Sequence, residues 1–223
     1  MLSITEENYL KAIFKLTWEN SKAETGTNDL AKEVNVKPAT ATNMLGKLKE
    51  KKLIEYEKYG KSSLTKKGKL IAIEVIRKHR LWETFLFEKL NFSWDEVHEV
   101  AEQLEHIKSA KLIDRLDKFL NYPKVDPHGD IIPQAFGDLK IPVKRSLNEI
   151  AEGVVCKIIG VTNNTPEFLQ YVDKIGLSIN KKIKVIARQP FDQILEIEVK
   201  GKKTIISHLF AQNILIEEEK KGI

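Results

Sequence analysis

The fold of this chain is decided by residues 27–65, which read TNDLAKEVNVKPATATNMLGKLKEKKLIEYEKYGKSSLT. The segment predicts a short helix over residues 27–34, a tight turn, and a second helix that starts at Pro38 and ends near Lys51. A short β-hairpin with its turn at Gly60 follows. A helix, a turn, a helix and a basic hairpin make up a winged helix-turn-helix module.

The second helix carries residue types that suit DNA. Short hydrogen-bonding side chains fit base edges in the major groove, and lysines fit phosphates. The residues assigned to the groove are Pro38 and Ala39 at the helix start and the base-reading candidates Thr40, Thr42 and Asn43. The lysines assigned to phosphates are Lys37, Lys47, Lys58 and Lys61. Such modules also bind proteins, so a DNA-binding domain and a protein-binding adaptor both stay open.

Charge is distributed unevenly around this module. Residues 1–70 contain 14 basic and 9 acidic side chains, whereas the remaining residues contain 23 of each. The whole net charge of +5 therefore lies in the first third of the chain. A basic segment joined to a neutral remainder indicates a module that binds a polyanion.

Composition narrows the class of protein. Cys156 is the only cysteine, which excludes an intramolecular disulfide and a cysteine-rich zinc module. No apolar run approaches the ~20 residues that span a bilayer, and the start resembles no signal peptide. We therefore expect a cytoplasmic protein with no membrane partner.

Upstream of the module, Thr5 is the expected N-cap of a first helix.

Downstream, histidines and glutamates recur at helical spacing. A helix predicted over residues 66–90 carries His79 and Glu83 one turn apart. A second helix, predicted over residues 94–107, carries a stripe of four further side chains: His98, Glu102, Glu105 and His106. Imidazole nitrogens with carboxylate oxygens suit manganese, iron or zinc. The alternative is a solvated face held by weak pairs along each helix.

These segments resemble the diphtheria toxin repressor and manganese transport regulator family. The resemblance covers the full chain and is carried by TEENYLKAI at 5–13, RKHRLWE at 77–83, HEVAEQLEH at 98–106 and DPHGDIIP at 126–133. It implies a mainly α protein with a small β part: a winged helix-turn-helix, a helical metal-binding and dimerisation domain, and a C-terminal SH3-like β-barrel. It also implies a homodimer that binds a palindromic double-stranded operator when Mn²⁺ or Fe²⁺ is plentiful.

The resemblance implies two metal sites. The primary site would use Asn8, Glu102, Glu105 and His106, and the ancillary site His79, Glu83 and His98. Iron-type members usually have Cys at the position of Glu102 and Met at that of Asn8, where manganese-type members commonly have Glu and Asp. Glu102 thus follows the manganese pattern, and Asn8 follows neither. Lys11 stands where the short manganese regulators have Glu, which argues against their compact two-metal cluster.

Further ligands are implied in the connector and the C-terminal domain. Asp126 and His128 match extra ligands of some longer relatives, although Asp-Pro-His-Gly is also ordinary turn chemistry. Some relatives add a carboxylate or amide from the C-terminal domain, for which Glu167 aligns best, with Asn164 behind it. The alternative for Glu167 is a solvated residue at a helix N-terminus. Cys156 is most simply a buried strand residue.

The expected organisation has four parts. Residues 1–70 form the DNA-binding domain, 71–140 the metal-binding and dimerisation domain, 141–152 a linker, and 153–223 the SH3-like domain. Strands are expected at 154–159, 182–187, 194–199 and 203–206, with a helix at 166–175. The function expected is a metal-dependent repressor and not an enzyme. An iron-dependent rather than manganese-dependent regulator, a His/Glu metallohydrolase and a metal-independent adaptor are the alternatives.

Overall fold

A computed structural model describes residues 2–19, 22–57, 60–134 and 145–218 of the chain. It divides into two compact units. The first contains residues 1–82, 100–124 and 132–141, and the second contains residues 83–99, 125–131 and 142–223. The expected domain boundaries at residues 70, 140 and 152 stay a prediction.

The N-terminal part of the chain is mainly helical. Its helices are α1 (Ile4–Phe14), α2 (Thr27–Glu33), α3 (Pro38–Glu50), α4 (Lys66–Leu90), α5 (Val97–Leu104) and α6 (Ala110–Phe119), with a π-helical turn at Lys15–Glu19. Its strands are β1 (Thr25–Gly26), β2 (Ile54–Tyr56) and β3 (Lys61–Leu64). Residue periodicity predicted α3 and α4 closely, because both helices bury a regular apolar stripe.

The first helix starts earlier than expected. Ser3, and not Thr5, is its N-cap: the Ser3 hydroxyl accepts a hydrogen bond from the backbone N–H of Glu6 at 3.2 Å. The Glu6 carboxylate accepts one in return from the backbone N–H of Ser3 at 3.0 Å. This reciprocal capping box satisfies two backbone donors at once, so it fixes the helix start at Ile4.

The wing is a three-stranded antiparallel sheet of order β1-β3-β2. The hairpin β2–β3 was predicted, but β1, which pairs Thr25 with Ser62, was not. A two-residue strand whose partner lies 37 positions later leaves no local pattern. The sheet and helices α1–α4 share an apolar core that includes Leu10, Ile13 and Leu45, all fully buried.

The helical part also contains a helix that the sequence reasoning missed. Two amphipathic helices were expected across residues 71–121, and the structure has three. The expected helix over residues 94–107 is only α5, and Ser109 caps α6 through a hydrogen bond from Leu112 N–H. Within the first unit, Arg77 of α4 donates to Asp117 of α6 at 2.8 Å.

The C-terminal part is β-rich. Its six-stranded antiparallel sheet has the order β4-β9-β5-β6-β7-β8. The elements are β4 (Arg145–Ser146), a 3-10 turn (Leu147–Glu149), β5 (Val155–Val161), α7 (Pro166–Lys174), β6 (Lys182–Arg188), β7 (Leu195–Val199), β8 (Lys202–Ile206), α8 (His208–Gln212) and β9 (Ile214–Glu218). Cys156 is buried on β5, and burial raises the pKa of its thiol to about 12. The expected fold class is confirmed.

The segment around Gly129 packs closely on β5. Gly129 has φ +83°, and a Cβ there would lie 1.9 Å from the carbonyl oxygen of Ile159. The backbone N–H of Val161 donates to the carbonyl of His128 at 3.1 Å. Only glycine fits this position, which fixes the neighbouring Asp126 and His128. Among the described residues, no helix has the length and apolar character needed to cross a bilayer.

Candidate metal centres and DNA-binding helix

Helix α3 presents a polar outer face. Lys37, Pro38 and Ala39 at its start are exposed, as are Thr40, Asn43 and Lys47 along it, while Leu45 and Leu48 are buried. Thr42 differs from the expectation of an outward side chain. It is half-buried, and its hydroxyl donates to the carbonyl of Pro38 at 3.0 Å.

Of the two wing lysines expected to bind phosphates, one lies in the part of the chain that the structure describes. Lys61, at the start of β3, is exposed, and its Nζ lies 3.8 Å from a carboxylate oxygen of Glu24. Lys58, the other lysine expected here, lies outside the described residues. An exposed cation of this kind suits a phosphate of the DNA backbone.

Two clusters of ionisable side chains are built on the helices. Cluster one lies in the first unit and consists of Glu7, Lys11, His79, Glu102, Glu105 and His106. Cluster two lies in the second unit and consists of Glu83, His98, Asp126 and His128.

Glu105 lies at the centre of cluster one, with a side chain that is 1% exposed. Its Oε2 lies 2.6 Å from Nδ1 of His79 and 2.7 Å from Nζ of Lys11. Its Oε1 lies 3.6 Å from Nε2 of His106. Burial acts to raise the pKa of the Glu105 carboxyl, but the hydrogen bond from His79 and the charge of Lys11 outweigh burial and lower it. Glu105 is therefore a buried carboxylate.

His106 is oriented by a residue that the sequence reasoning missed. Its Nδ1 lies 2.7 Å from Oε2 of Glu7, so the ring N–H donates to that carboxylate and Nε2 carries the lone pair. Asn8, which the resemblance implies as a ligand, lies next to Glu7 on α1 and is half-buried. Glu102 is exposed and accepts from Lys11 at 3.3 Å. A signal for Glu7 was present in the sequence, since this carboxylate stands next to Asn8, the ligand that the resemblance implies.

Helix α1 connects cluster one to α3 within the first unit. Lys51, the C-cap of α3, donates to the carboxylate of Glu6, and this hydrogen bond holds the pKa of Glu6 below its ordinary value. Glu7, the next residue, contacts His106. Two adjacent glutamates of α1 thus contact the C-terminal end of α3 and cluster one.

Cluster two has Glu83 at its centre, 2% exposed. Its Oε1 lies 3.2 Å from Nδ1 of His98, and its Oε2 lies 3.6 Å from Nδ1 of His128. Ligand atoms of Glu83, Asp126 and His128 all lie within 4.8 Å of one another, and all three residues are buried.

The chemistry of His128 fits a cation. Its Nε2 lies 3.1 Å from the carbonyl of Trp94, so the N–H is on Nε2. Nδ1 then lies 3.6 Å from a carboxylate oxygen of Glu83, and this buried atom has no hydrogen-bond partner among the described residues. Burial acts to lower the pKa of His128, but Glu83, Asp126 and the Trp94 carbonyl outweigh burial and raise it. Asp126 also forms the turn, since its Oδ1 accepts from the backbone of His128 and Asp130.

The two candidate ligands of the C-terminal domain differ in exposure. Glu167 is exposed in the first turn of α7. Asn164 is half-buried, and its carbonyl oxygen is buried with no hydrogen-bond partner among the described residues. A buried carbonyl oxygen that lacks a donor is a better candidate ligand than a solvated carboxylate.

Three family models match consecutive parts of the chain. They describe an iron dependent repressor N-terminal DNA binding domain (residues 1–61), an iron dependent repressor metal binding and dimerisation domain (residues 65–134) and a FeoA domain (residues 145–218).

Curated relatives and solved structures agree with these matches. The HTH-type transcriptional regulator MntR of Oceanobacillus iheyensis is 33% identical over 149 residues, which are 66% of this chain and 95% of that protein. The iron-dependent repressor IdeR of Mycobacterium bovis is 33% identical over 129 residues, 58% of this chain and 55% of that protein. A structure described as a manganese-dependent transcriptional repressor in complex with manganese aligns with a TM-score of 0.84 at 32% identity, covering 96% of this chain and all of that one.

Proposed function

The chain belongs to the family of metal-dependent, DNA-binding transcriptional repressors with a C-terminal FeoA domain, and we propose that its two clusters are the metal sites that control operator binding. Relatives in this family include Mn²⁺-dependent and Fe²⁺-dependent repressors. The chain would act as a homodimer that binds a palindromic operator. The bound dimer would block transcription of genes for metal homeostasis.

Cluster one is the proposed switching site. Glu105 through Oε1 and His106 through Nε2 would hold the ion, with Glu102 and Asn8 as the further ligands. These donors are oxygen and imidazole nitrogen, which suit Mn²⁺ and Fe²⁺. When bound, the ion supplies a positive charge shared by side chains from separate helices. Glu7 does not need to bind it, because a carboxylate on Nδ1 orients His106 and makes Nε2 a better donor.

The observation that carries this proposal is the pair of contacts made by α1. Glu6 contacts the C-cap of α3, and Glu7 contacts His106 of cluster one. A rigid helix with contacts at both places transmits a change at cluster one to the recognition helix. Metal binding would in this way set the position of α3 for the major groove.

Cluster two is the proposed supporting site. Glu83, Asp126 and His128 would hold an ion, with His98 as a fourth ligand. Nδ1 of His128, which is buried beside the Glu83 carboxylate and has no hydrogen-bond partner among the described residues, supports this assignment. Of the two candidates in the C-terminal domain, we favour Asn164 over Glu167, because its buried carbonyl oxygen lacks a donor.

DNA contacts are proposed for the exposed face of α3 and for the wing. Thr40 and Asn43 would read base edges, and Lys37, Lys47 and Lys61 would hold phosphates. Thr42 would contribute through its methyl group, since its hydroxyl is engaged with Pro38. In a dimer, the two α3 helices would enter successive major grooves, so the operator would be a palindrome with half-sites about one helical turn apart.

Chelation distinguishes this function from its alternatives. The family is one of DNA-binding transcriptional regulators, which supports a repressor over a His/Glu metallohydrolase. A gel shift with the chain's own promoter region should show binding with Mn²⁺ and its loss after chelation. Unchanged DNA affinity after chelation would indicate a metal-independent adaptor. Hydrolytic turnover without DNA binding would indicate the enzyme.

A further inference from the structure

A lysine lies inside cluster one. Lys11 belongs to the last turn of α1, and its Nζ lies 2.7 Å from Oε2 of Glu105 and 3.3 Å from Oε1 of Glu102. The same nitrogen lies 3.3 Å from Nδ1 of His79. One ammonium group of α1 thus contacts side chains from α4 and from the C-terminal end of α5.

This contact differs from a surface ion pair. The side chain of Lys11 is 20% exposed and that of Glu105 is 1% exposed. For comparison, Lys15 and Glu33 form a pair whose side chains are 59% and 28% exposed. A carboxylate as buried as Glu105 requires a nearby cation, because an unpaired buried charge is strongly destabilising. Lys11 supplies that cation from the protein itself.

The two oxygens of Glu105 have different neighbours. Oε2 contacts Lys11 and His79, whereas Oε1 faces Nε2 of His106 at 3.6 Å. A divalent ion at Oε2 would lie next to the Lys11 ammonium and be repelled by it. An ion between Oε1 and His106 would meet two donors and lie on the far side of the carboxylate from Lys11.

We propose that Lys11 is a built-in cation that takes the place of one divalent ion between α1 and Glu105. The proposal rests on the function proposed above, since it assumes that Glu105 and His106 hold a metal. Two consequences follow. Cluster one holds a single ion, on the His106 side of Glu105, and α1 stays docked on Glu105 when metal is absent. Bound metal then adjusts the position of α1, which is already packed against Glu105. Metal is not needed to bring the helix there.

The first test uses metal-free, full-length protein and amide hydrogen exchange. In Lys11→Met, the amides of α1 should exchange about tenfold faster or more, because a charge-assisted hydrogen bond to a buried carboxylate is lost. Lys15→Met, the surface control, should leave exchange in α1 unchanged, and Lys11→Arg should keep most of the protection. Native-like exchange in Lys11→Met would overturn the proposal. Lys11→Gln replaces it if the Met variant does not fold.

The second test counts ions by equilibrium dialysis with Mn²⁺ alone. Lys11→Glu should bind one more Mn²⁺ per chain than the native protein, because a ligand replaces the competing cation. An unchanged number would overturn the proposal. A different result would contradict the proposed function, namely unchanged Mn²⁺ stimulation of operator binding in Glu105→Ala with His106→Ala. The hydrogen-exchange experiment on metal-free protein does not depend on that result.

Discussion

At the scale of single residues, hydrogen bonds decide which nitrogen of a histidine can bind metal. Glu7 engages Nδ1 of His106, and the Trp94 carbonyl engages Nε2 of His128, so the two rings present opposite nitrogens. In each case a fixed acceptor engages one ring nitrogen, and the other nitrogen is the one that can bind metal once it is deprotonated. The partners of these rings matter as much as the rings themselves.

Glu7→Gln tests this role for His106. Loss of the carboxylate should lower Mn²⁺ affinity at cluster one by about tenfold to a hundredfold, measured by isothermal titration calorimetry. Glu33→Gln, which alters a partly exposed surface carboxylate, is the control and should bind as the native protein does. A larger loss for Asn8→Ala than for Glu7→Gln would show that Asn8 is the functional residue of α1.

The sequence identified most members of both clusters but not their neighbours. His79, Glu83, His98, Glu102, Glu105 and His106 stand at helical spacing, which a single chain displays directly. Glu7 was missed because its partner lies 99 positions later. The resemblance favours Glu167 over Asn164, and only the structure shows that the Asn164 carbonyl oxygen is buried while Glu167 is exposed.

At the scale of secondary-structure elements, α3 and the turn at Gly129 each position a set of side chains. Local pattern predicted α3, including its proline start, because a regular helix displays its period in sequence. Local pattern did not predict β9, which pairs with β5 more than 50 residues earlier. It also missed α6, whose start depends on a single capping serine at 109.

Substitutions on α3 separate base reading from phosphate binding. Asn43→Ala should cost about 1–3 kcal/mol at the preferred operator and relax its sequence preference, because a base-edge contact is lost. Lys47→Gln should weaken binding to all sequences alike and flatten the salt dependence by about one unit. Fluorescence anisotropy with specific and scrambled duplexes measures both. Unaltered sequence preference in Asn43→Ala would remove that residue from base reading.

The turn at Gly129 has a matched control elsewhere in the second unit. Gly129 and Gly201 both have positive φ, but a Cβ at Gly129 meets the Ile159 carbonyl while a Cβ at Gly201 meets open space. Gly129→Ala should therefore cost about 1–3 kcal/mol more in urea denaturation than Gly201→Ala. It should also weaken Mn²⁺ binding at cluster two, since Asp126 and His128 flank the turn. Equal costs would mean that the turn relaxes without disturbing the site.

At the scale of the whole molecule, the chain joins a basic DNA-binding part to His/Glu clusters without thiolate. Such donor sets tolerate Mn²⁺, although affinity itself favours the later metals of the first row. We therefore expect Mn²⁺ to activate operator binding at least as fully as Fe²⁺, and Zn²⁺ to bind more tightly yet activate less. Glu102→Cys should shift the response toward Fe²⁺. Anaerobic titrations at controlled free metal measure this, and activation by Fe²⁺ with none by Mn²⁺ would refute the manganese assignment.

In the proposed mechanism, an ion at Glu105 and His106 controls the position of α3 through α1. Fluorescence anisotropy across a range of free Mn²⁺ measures operator binding by the native chain and by Glu105→Ala with His106→Ala. His208→Ala, which removes a histidine outside both clusters, is the control. Mn²⁺ should stimulate operator binding by the native and control proteins, and the double variant should remain a folded dimer without stimulation. Full Mn²⁺ stimulation of the double variant would contradict this mechanism.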